Sequence, residues 1–351
     1  MHYSAEFIPA NNPNIRFSGR WDMTDSLNPR HSWPGTYITA VFSGTSLGVR
    51  MDDNVNYYNI YIDGKLAMVF HGDKQGTADY PLAGKLADTL HTLRISKRNI
   101  SFDKVFTFSG LILDDGKKLF APEEKPVRKI EFIGDSYTAA EGNEAALQEI
   151  PWEEKFPVTN IDLGFAPVIA RHYNAEYHTT CRSGIGMVCD WTGNFSVSLP
   201  KFFDRTLMET PERKWDFNRW HPDVVVIALG LNDYSGLKDK DGSVSKENSE
   251  KFRHEYREFL KIIRKVYPGV QIVVVAAYTD WIRENVIQIA YEEKKDGKAD
   301  IHYSQFDYFD GGYVANGHPT VETHAKMAEQ IIKTIDMCNL FTDTAHPSYG
   351  K

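Results

Sequence analysis

Hydrophobic and polar residues follow different patterns in the two parts of the chain. Up to about residue 122, short runs such as "TYITAVF" and "YYNIYID" alternate between apolar and polar positions and are separated by turn signals such as Asp63-Gly64. Alternation with a period of two is typical of strands that bury one face. The pattern therefore predicts an all-β domain of the sandwich or jelly-roll type over residues 1–122.

The pattern changes after the Pro- and charge-rich segment "APEEKPVRK". The runs "KIEFIG", "DVVVIALG" and "QIVVVAAY" are continuously apolar, which is typical of parallel strands buried on both faces. Helical patterns lie between these runs. The sequence therefore predicts an α/β fold, a three-layer α/β/α domain with a parallel sheet, over residues 123–351.

Two amphipathic helices are predicted from apolar residues spaced three and four positions apart. The first ends at the Pro-Gly pair 268–269 and is expected to bury Phe252, Tyr256, Phe259 or Leu260, and Ile263. The second lies near the end of the chain and is expected to bury Val321, Ala325, Ala328, Ile332 and Ile335. Both are suited to cover a face of the parallel sheet.

The segment "KIEFIGDSYTAAEG" places a serine directly after a buried strand. Ser136 follows Gly134 and Asp135, and a helix-prone stretch of small residues comes next. Such a turn can present one hydroxyl at the top of a sheet, although an ordinary capped strand-to-helix turn has the same appearance. Whether Ser136 is a nucleophile therefore depends on its partners.

Two further loops supply candidate partners. Asn232 follows the buried strand "VVVIALG", and its amide could face a developing negative charge at the carboxyl edge of the sheet. In "CRSGIGMV", Gly184 lets a backbone N–H approach a substrate, with Gly186 as the alternative glycine. Each of these residues, taken alone, is also compatible with a simple turn.

A histidine near the end of the chain is the candidate general base. In "VANGHPTVETHAKMA", His318 precedes the last helix and can reach back over the sheet edge. A single loop histidine is more often structural than catalytic, so His318 gains meaning only with the other segments. His324 lies inside the helix and is expected to be a surface or packing residue.

Composition narrows the function classes. The chain has 351 residues and a formal net charge of -8, which argues against a nucleic-acid partner. No apolar run is long enough to span a membrane, and the beginning of the sequence as given lacks a signal-peptide pattern. A cytoplasmic location is therefore expected, with secretion as the alternative if a signal peptide has been removed. Three dispersed cysteines and the absence of a metal-ligand spacing predict no disulfide framework, no metal site and no cofactor. The oligomeric state stays open.

The four segments together resemble the SGNH or GDSL hydrolase superfamily, whose sequence blocks carry Ser, Gly, Asn and His in this order. The N-terminal phrases "FSGRW", "YNIYIDGK" and "FSGLILDDGKKL" are similar to the jelly-roll domain of carbohydrate esterase family 2. The resemblance implies that Ser136 is the nucleophile and His318 the general base and acid. It further implies an oxyanion hole made by the N–H groups of Ser136 and Gly184 and the amide of Asn232.

One position departs from the superfamily pattern. Most members have an Asp three residues before the His, whereas this chain has Ala315. The resemblance then implies a Ser-His dyad, in which a backbone carbonyl such as that of Ala315 orients the imidazole. A carboxylate from elsewhere is the alternative, with Asp307 and Asp310 the nearest in sequence.

The same resemblance implies an acetyl esterase acting on xylan, mannan and glucan oligosaccharides. Because sugar rings stack on aromatic faces, Trp191, Trp152 and Tyr137 are candidate substrate-binding residues, together with Asp233 at the sheet edge. Two alternatives remain open at this point. One is a lipid esterase or thioesterase on the same scaffold, and the other is a catalytically inactive carbohydrate-binding protein.

Overall fold

The computed structural model describes residues 5–102, 104–121 and 126–341. The regular elements described in the first part of the chain are the strands β1 (Ala5–Pro9), β2 (Arg16–Ser18), β3 (Arg30–His31), β4 (Tyr37–Gly44), β5 (Leu47–Asp52), β6 (Tyr57–Ile62), β7 (Lys65–His71), β8 (Ala78–Ala83), β9 (Thr89–Lys97), β10 (Phe106–Asp114) and β11 (Leu119–Phe120). The predicted boundary between residues 122 and 123 lies outside the described residues.

The strands of this first part form two antiparallel sheets. One sheet has the order β1-β10-β5-β8 with β3 on β10, and the other has the order β11-β4-β9-β6-β7 with β2 on β4. Strand β4 alternates buried and half-buried residues along its whole length, as the period of two predicts. The buried side chains of both sheets share one core, so this part is the predicted β-sandwich.

The second part alternates strands and helices. Its strands are β12 (Arg128–Gly134), β13 (Ala175–Cys181), β14 (Arg205–Leu207), β15 (Thr210–Lys214), β16 (Val224–Ala228), β17 (Gln271–Ala276), β18 (Ile301–Gln305), β19 (Tyr313–Val314) and β20 (His318–Pro319). Its helices are α1 (Phe165–His172), α2 (Leu231–Leu237), α3 (Lys246–Val266), α4 (Asp280–Lys295) and α5 (Val321–Met337).

A parallel sheet of order β13-β12-β16-β17-β18 forms the middle layer of the second part. Helices α3 and α4 pack on one face, and helices α1 and α5 pack on the other. All five residues of β16 are buried, which explains why its sequence is continuously apolar. The predicted three-layer α/β/α architecture is confirmed.

The two helix predictions differ in outcome. Helix α3 buries Phe252, Tyr256, Phe259, Leu260 and Ile263, which confirms the predicted face. The face predicted for α5 is confirmed at Ala328 and Ile335 and is wrong at Ala325, which is exposed. Val321 and Ile332 are half-buried. The buried residues of α5 are Thr323, His324, Met327, Ala328, Ile331 and Ile335. In residues 5–102, 104–121 and 126–341, no helix has the length and apolarity to cross a membrane.

The sandwich and the α/β part share a core and buried charges. Trp33 of the sandwich is fully buried among residues of the α3–α4 face, and its indole N–H donates to the carbonyl of Thr206 at 3.0 Å. Arg20 of the sandwich pairs with Glu131 of β12 at 2.9 Å, with both side chains inaccessible to solvent. The sandwich is therefore packed into the α/β part rather than attached to its surface.

Polar contacts from the sandwich also hold the segment that follows the nucleophile candidate. Arg98 donates to the carbonyl of Thr159 at 3.1 Å and forms an ion pair with Glu144. The carboxylate of Asp162 accepts hydrogen bonds from Asn59 at 2.8 Å and from Ser96 at 2.9 Å. These contacts fix residues 144–162 against the sandwich.

Candidate active site

Ser136 and Asn232 lie where neighbouring strands of the parallel sheet diverge. From β12 the chain crosses to β13 on one side, and it then returns to β16 on the other side. Ser136 follows β12, and Asn232 follows β16 at the start of α2. Since loops leave the two carboxyl ends in opposite directions, a crevice forms between them, which is the usual place for a ligand in such sheets.

The Gly-Asp-Ser turn needs its glycine. A Cβ on Gly134 would lie 1.9 Å from the hydroxyl oxygen of Thr138, so any side chain there would push the following turn away. Ser136 is 8% exposed. The residues after it form successive turns rather than the expected helix, and Ala140 takes a left-handed φ of 54°.

The carboxyl group of Asp135 joins this turn to Asn232. It accepts a hydrogen bond from the Tyr137 N–H at 3.0 Å, and the Asn232 amide lies 3.3 Å from its second oxygen. Burial raises the pKa of Asp135 to about 7. The same Asn232 amide donates to the carbonyl of Ile185 at 2.9 Å, so Asn232 also meets the glycine loop.

The two candidate glycines have different surroundings. Gly184 has a left-handed φ of 76°, and a Cβ there would meet only the indole ring of Trp191. A Cβ on Gly186 would lie 2.5 Å from a carboxylate oxygen of Asp233, inside the protein. The position of Gly184 beside the exposed Trp191 favours it over Gly186 as the donor that faces a substrate.

The predicted substrate contact of Asp233 is wrong. Its side chain is inaccessible to solvent, and its carboxylate accepts backbone N–H bonds from Met187 at 2.8 Å and from Val188 at 2.7 Å. Burial raises the pKa of Asp233 to about 6, although these N–H groups oppose the rise. Asp233 therefore shapes the glycine loop from behind.

His318 is held by a tight β connection. Val314 pairs with His318, and the three residues between them, Ala315, Asn316 and Gly317, all have left-handed φ values of 45°, 66° and 86°. The loop is fixed from outside by the Ala315 N–H, which donates to the carbonyl of Leu147 at 2.9 Å. Such a strained run persists only because its surroundings impose it.

The carbonyl of Ala315 lies 2.6 Å from Nδ1 of His318. Because a carbonyl can only accept, Nδ1 carries the proton and Nε2 has the free lone pair in the neutral ring. Asp307 bonds instead to Gln305 and Gln330, and Asp310 is exposed. The position usually taken by an Asp carboxylate is thus occupied by a neutral carbonyl.

Tyr137 is also placed differently from its prediction as a substrate-binding residue. It is buried, its hydroxyl donates to the carbonyl of Gly317 at 2.8 Å, and its ring stands edge-on to the imidazole of His318. Burial raises the pKa of the Tyr137 hydroxyl well above its usual range. The residue ties the histidine loop to the nucleophile turn and has no face for a sugar.

Two charged residues near His318 were not predicted from the sequence as site residues. Glu141 and Lys155 are both buried, and the Lys155 ammonium lies 2.6 Å from Oε1 of Glu141. The same oxygen lies 3.5 Å from Nε2 of His318. In the sequence, Glu141 is part of a stretch that reads as the start of a helix, so only the turns seen here bring it back toward His318.

The two tryptophan candidates have different roles. Trp191 is 61% exposed, and its ring lies next to Gly184. Trp152 is half-buried, and one face of its ring stacks on Phe102 of the sandwich with centroids 5.1 Å apart. Trp191 therefore stays the candidate sugar platform, while Trp152 packs against the sandwich.

No group of three or more His, Cys, Asp or Glu side chains could hold a metal ion within the part of the chain that the structure describes. The same edge of the sheet thus holds a serine hydroxyl and an amide, and a histidine with a free lone pair at Nε2 lies 3.5 Å from a carboxylate on the serine turn. These are the parts of a nucleophilic acyl-transfer site.

Two family models match the chain, one on each side of the predicted boundary. The model of the carbohydrate esterase 2 N-terminal domain matches residues 17–122. The model of the GDSL-like lipase/acylhydrolase family matches residues 130–331. The second match includes Ser136, Gly184, Asn232 and His318.

Similar proteins agree with these matches. The chain is 31% identical over 336 residues to the cellulase/esterase CelE of Acetivibrio thermocellus, covering 92% of this chain and 39% of that protein. It is 35% identical over 214 residues to an acetylxylan esterase / glucomannan deacetylase of Cellvibrio japonicus, covering 60% of this chain and 58% of that protein. The chain thus spans less than two thirds of the length of either relative.

A solved structure extends the likeness to the whole fold. It is a family two carbohydrate esterase from Clostridium thermocellum in complex with cellohexaose, 28% identical, with a TM-score of 0.83 over 93% of this chain and 100% of that one. Since the GDSL-like model covers more than half of the chain and the sandwich matches the carbohydrate esterase 2 N-terminal model, the chain belongs to the GDSL-like acylhydrolases and, within them, to carbohydrate esterase family 2.

Proposed function

We propose that this protein is a serine esterase that removes O-acetyl groups from hemicellulose oligosaccharides of the xylan, mannan or glucan type. The observation that supports the proposal is that Asn232 bonds to Asp135, beside Ser136, and to the glycine loop, while Nε2 of His318 lies 3.5 Å from Glu141 on the Ser136 turn. The names of the relatives, which include an acetylxylan esterase / glucomannan deacetylase, support the substrate class.

The reaction begins when the Ser136 hydroxyl attacks the acetyl carbonyl. A serine hydroxyl is a weak nucleophile at neutral pH, so His318 takes its proton at Nε2 as the new C–O bond forms. The carbonyl π electrons move to oxygen and give a tetrahedral oxyanion. The N–H groups of Ser136 and Gly184 and the Asn232 amide are the proposed donors to it, and each such donor is worth about 3 kcal/mol.

The tetrahedral intermediate collapses by expelling the sugar oxygen. The proton on Nε2 passes to that oxygen, the sugar leaves as an alcohol, and an acetyl group stays on Ser136. Water then attacks the acetyl-enzyme, with His318 as base, and acetate is released with the serine restored. The Ala315 carbonyl keeps the proton on Nδ1 throughout, so Nε2 can accept and return a proton in both halves of the reaction.

A Ser-His dyad is the mechanism that this geometry supports. The neutral carbonyl of Ala315 fixes the tautomer of His318 as a carboxylate would, but it stabilises the imidazolium less. Trp191 offers a flat apolar face to a sugar ring, which favours a carbohydrate ester over a long-chain lipid ester.

The test is acetate release from acetylated xylo- and manno-oligosaccharides, with a long-chain fatty ester in parallel and Ser136→Ala as the control variant. We expect acetate from the sugars and a loss of about 10⁴-fold or more in the variant. Turnover of the fatty ester alone would assign a lipid esterase. Oligosaccharide binding without turnover of any ester would assign a carbohydrate-binding protein.

A further inference from the structure

The ion pair of Glu141 and Lys155 lies at the reacting side of His318. One oxygen of Glu141, Oε1, faces two partners: the Lys155 ammonium at 2.6 Å and Nε2 of His318 at 3.5 Å. Nε2 is the nitrogen that exchanges the proton with Ser136, whereas the usual Asp of such sites contacts Nδ1. The only carboxylate of the described residues within ion-pair distance of the imidazole is thus on the opposite side of the ring from the usual one.

Hydrogen bonds to and from the backbone fix the positions of Glu141 and Lys155. The Glu141 N–H donates to the carbonyl of Ser136 at 3.0 Å, so the carboxylate is on the same turn as the nucleophile. Lys155 is fixed by a second contact, because its carbonyl accepts a hydrogen bond from the Thr159 hydroxyl at 2.7 Å. Burying two charges is costly unless they are paired, and here both are withdrawn from water next to a base that becomes charged during turnover.

Other groups around the imidazole carry little charge. The Tyr137 ring and the Ala315 carbonyl are neutral, and burial lowers the pKa of His324 in α5 to about 3, so that its ring is neutral too. The carboxyl of Asp135 lies on the same turn, and burial raises its pKa to about 7. Among the described residues, the Glu141 carboxylate is the charged group within ion-pair distance of His318, and Lys155 is its partner.

We propose that Glu141 is the electrostatic partner of His318 at Nε2, and that Lys155 sets the strength of this interaction by holding the same carboxylate oxygen. This inference rests on the proposed esterase function. The carboxylate stabilises the imidazolium that forms when the Ser136 proton moves to Nε2. It takes no proton itself, and the proton still passes from Nε2 to the leaving sugar oxygen.

Lys155 has the opposite effect, and both effects are required. A carboxylate beside Nε2 without a counter-charge would attract the imidazolium as strongly in the resting enzyme as during turnover, and an imidazolium cannot accept the serine proton. A cation on the same oxygen weakens the attraction in the resting enzyme. The Glu141 carboxylate thus supplies the negative charge that the carbonyl of Ala315 lacks, and Lys155 limits its effect on the imidazole.

The test is the pH dependence of kcat/KM for acetate release from 4-nitrophenyl acetate, a substrate that needs no sugar site. We expect the acid limb of the profile to move to lower pH in Glu141→Gln and to higher pH in Lys155→Met, each by about 1 pH unit. The plateau of Glu141→Gln should fall about 10-fold, while Lys155→Met should recover activity at alkaline pH. A purely structural role predicts losses without opposite shifts.

Two further variants control for poor folding of a single variant and for general effects of removing charges. The double variant Glu141→Gln/Lys155→Met removes both charges, and its acid limb should lie between those of the single variants even if one of these folds poorly. The exposed pair on α3, changed as Glu258→Gln/Lys261→Met, is the matched control and should leave the profile unchanged. Wild-type turnover with unshifted or equally shifted limbs overturns this inference alone. Absence of wild-type turnover overturns the proposed function and, with it, the inference.

Discussion

Buried aspartates at the sandwich interface and at the catalytic edge have pKa values displaced in opposite directions. At the interface, burial alone would raise the pKa of Asp162, but the Arg94 guanidinium and hydrogen bonds from Asn59 and Ser96 outweigh it and lower that pKa. At the catalytic edge, burial raises the pKa of Asp135 to about 7 and that of Asp233 to about 6, since neutral backbone donors compensate only in part.

The contrast separates two uses of the same side chain. The interface carboxylate has a cation beside it, so its charge is stable and its role is to join the two parts of the molecule. The edge carboxyls have no such cation among their principal contacts and shape the loops around the crevice. The variants below are ordered by expected effect and act on one region or the other.

The largest effect is expected from Asp162→Ala at the interface. The change leaves the half-buried Arg94 without its carboxylate and removes the acceptor of the buried Asn59 and Ser96 hydrogen bonds, which should cost about 3 kcal/mol of unfolding free energy. Urea unfolding measures the loss. Asp88→Ala, which removes an exposed partner of Lys117, is the control and should cost less than about 1 kcal/mol. Equal losses in the two variants would contradict the distinction between regions.

The second prediction concerns the sign of the pH dependence. Since the pKa of Asp162 is lowered by folding, its stabilising contribution is present above the unfolded value and is lost as pH falls below about 4. For Asp233, a folded pKa of about 6 means a contribution present at low pH that is lost as pH rises from 4 to 6, by about 3 kcal/mol.

Urea unfolding of the wild type, Asp162→Asn and Asp233→Asn from pH 3 to pH 7 tests this sign. The stability difference between wild type and Asp162→Asn should grow with rising pH, because the wild type gains its ionised pair. The difference between wild type and Asp233→Asn should shift against the wild type over the same range. Slopes of the same sign in both variants would refute the comparison.

The third prediction concerns two glycines with nearly equal backbone angles. Gly142 at the catalytic edge has φ of 64° and Gly116 in the sandwich has φ of 69°. Alanine at either position costs about 1 kcal/mol of backbone strain. At Gly142 the new Cβ would also lie 2.5 Å from the Cβ of Ala315, whose carbonyl orients His318, whereas nothing lies within 4 Å at Gly116.

We therefore expect Gly142→Ala to lower kcat about 10-fold and to lower thermal stability more than Gly116→Ala, which should leave kcat unchanged. Steady-state kinetics and thermal unfolding of the two variants measure this split. A loss of kcat in Gly116→Ala, or none in Gly142→Ala, would mean that the histidine loop is not held in the way described.

The smallest effect is expected from Trp191→Ala. Loss of one stacking face should raise KM for an acetylated oligosaccharide about 3- to 10-fold, with kcat and the unfolding temperature unchanged. Trp152→Ala is the matched change at the interface, and it should lower the unfolding temperature with KM unaffected, because the ring stacks on Phe102. If Trp152→Ala raised KM and Trp191→Ala lowered the unfolding temperature, Trp152 would be the sugar-binding residue and Trp191 the packing residue.

The fold and the placement of Ser136 and Asn232 were predictable, because both rest on strong local patterns. Continuous apolar runs locate parallel strands, and strands that are neighbours in the sheet bring their carboxyl ends together. The predicted substrate contact of Asp233 was wrong, although Asp233 directly follows Asn232. Since α2 begins at Leu231, successive residues point in different directions, and Asp233 turns toward the interior.

The remaining errors come from polar residues that are buried inside the protein. Helix α5 buries Thr323, whose hydroxyl donates to the carbonyl of Gly312 at 2.7 Å, and His324, which accepts from the Phe165 N–H at 3.4 Å. Apolar spacing cannot reveal such residues, so the predicted face was rotated. The role of Glu141 was not predicted for a related reason. Its pairing with Lys155 depends on tertiary contacts, which a sequence pattern does not show.

The burial of Trp33 in the core of the α/β part limits how this protein can be used as an engineering component. A catalytic fragment cut free of the sandwich would expose the apolar side chains that pack with Trp33 and would leave the carbonyl of Thr206 without its indole donor. It would also lack Arg98, which anchors the segment behind the nucleophile. Transfer of the activity to a fusion protein therefore requires the sandwich and the α/β part together.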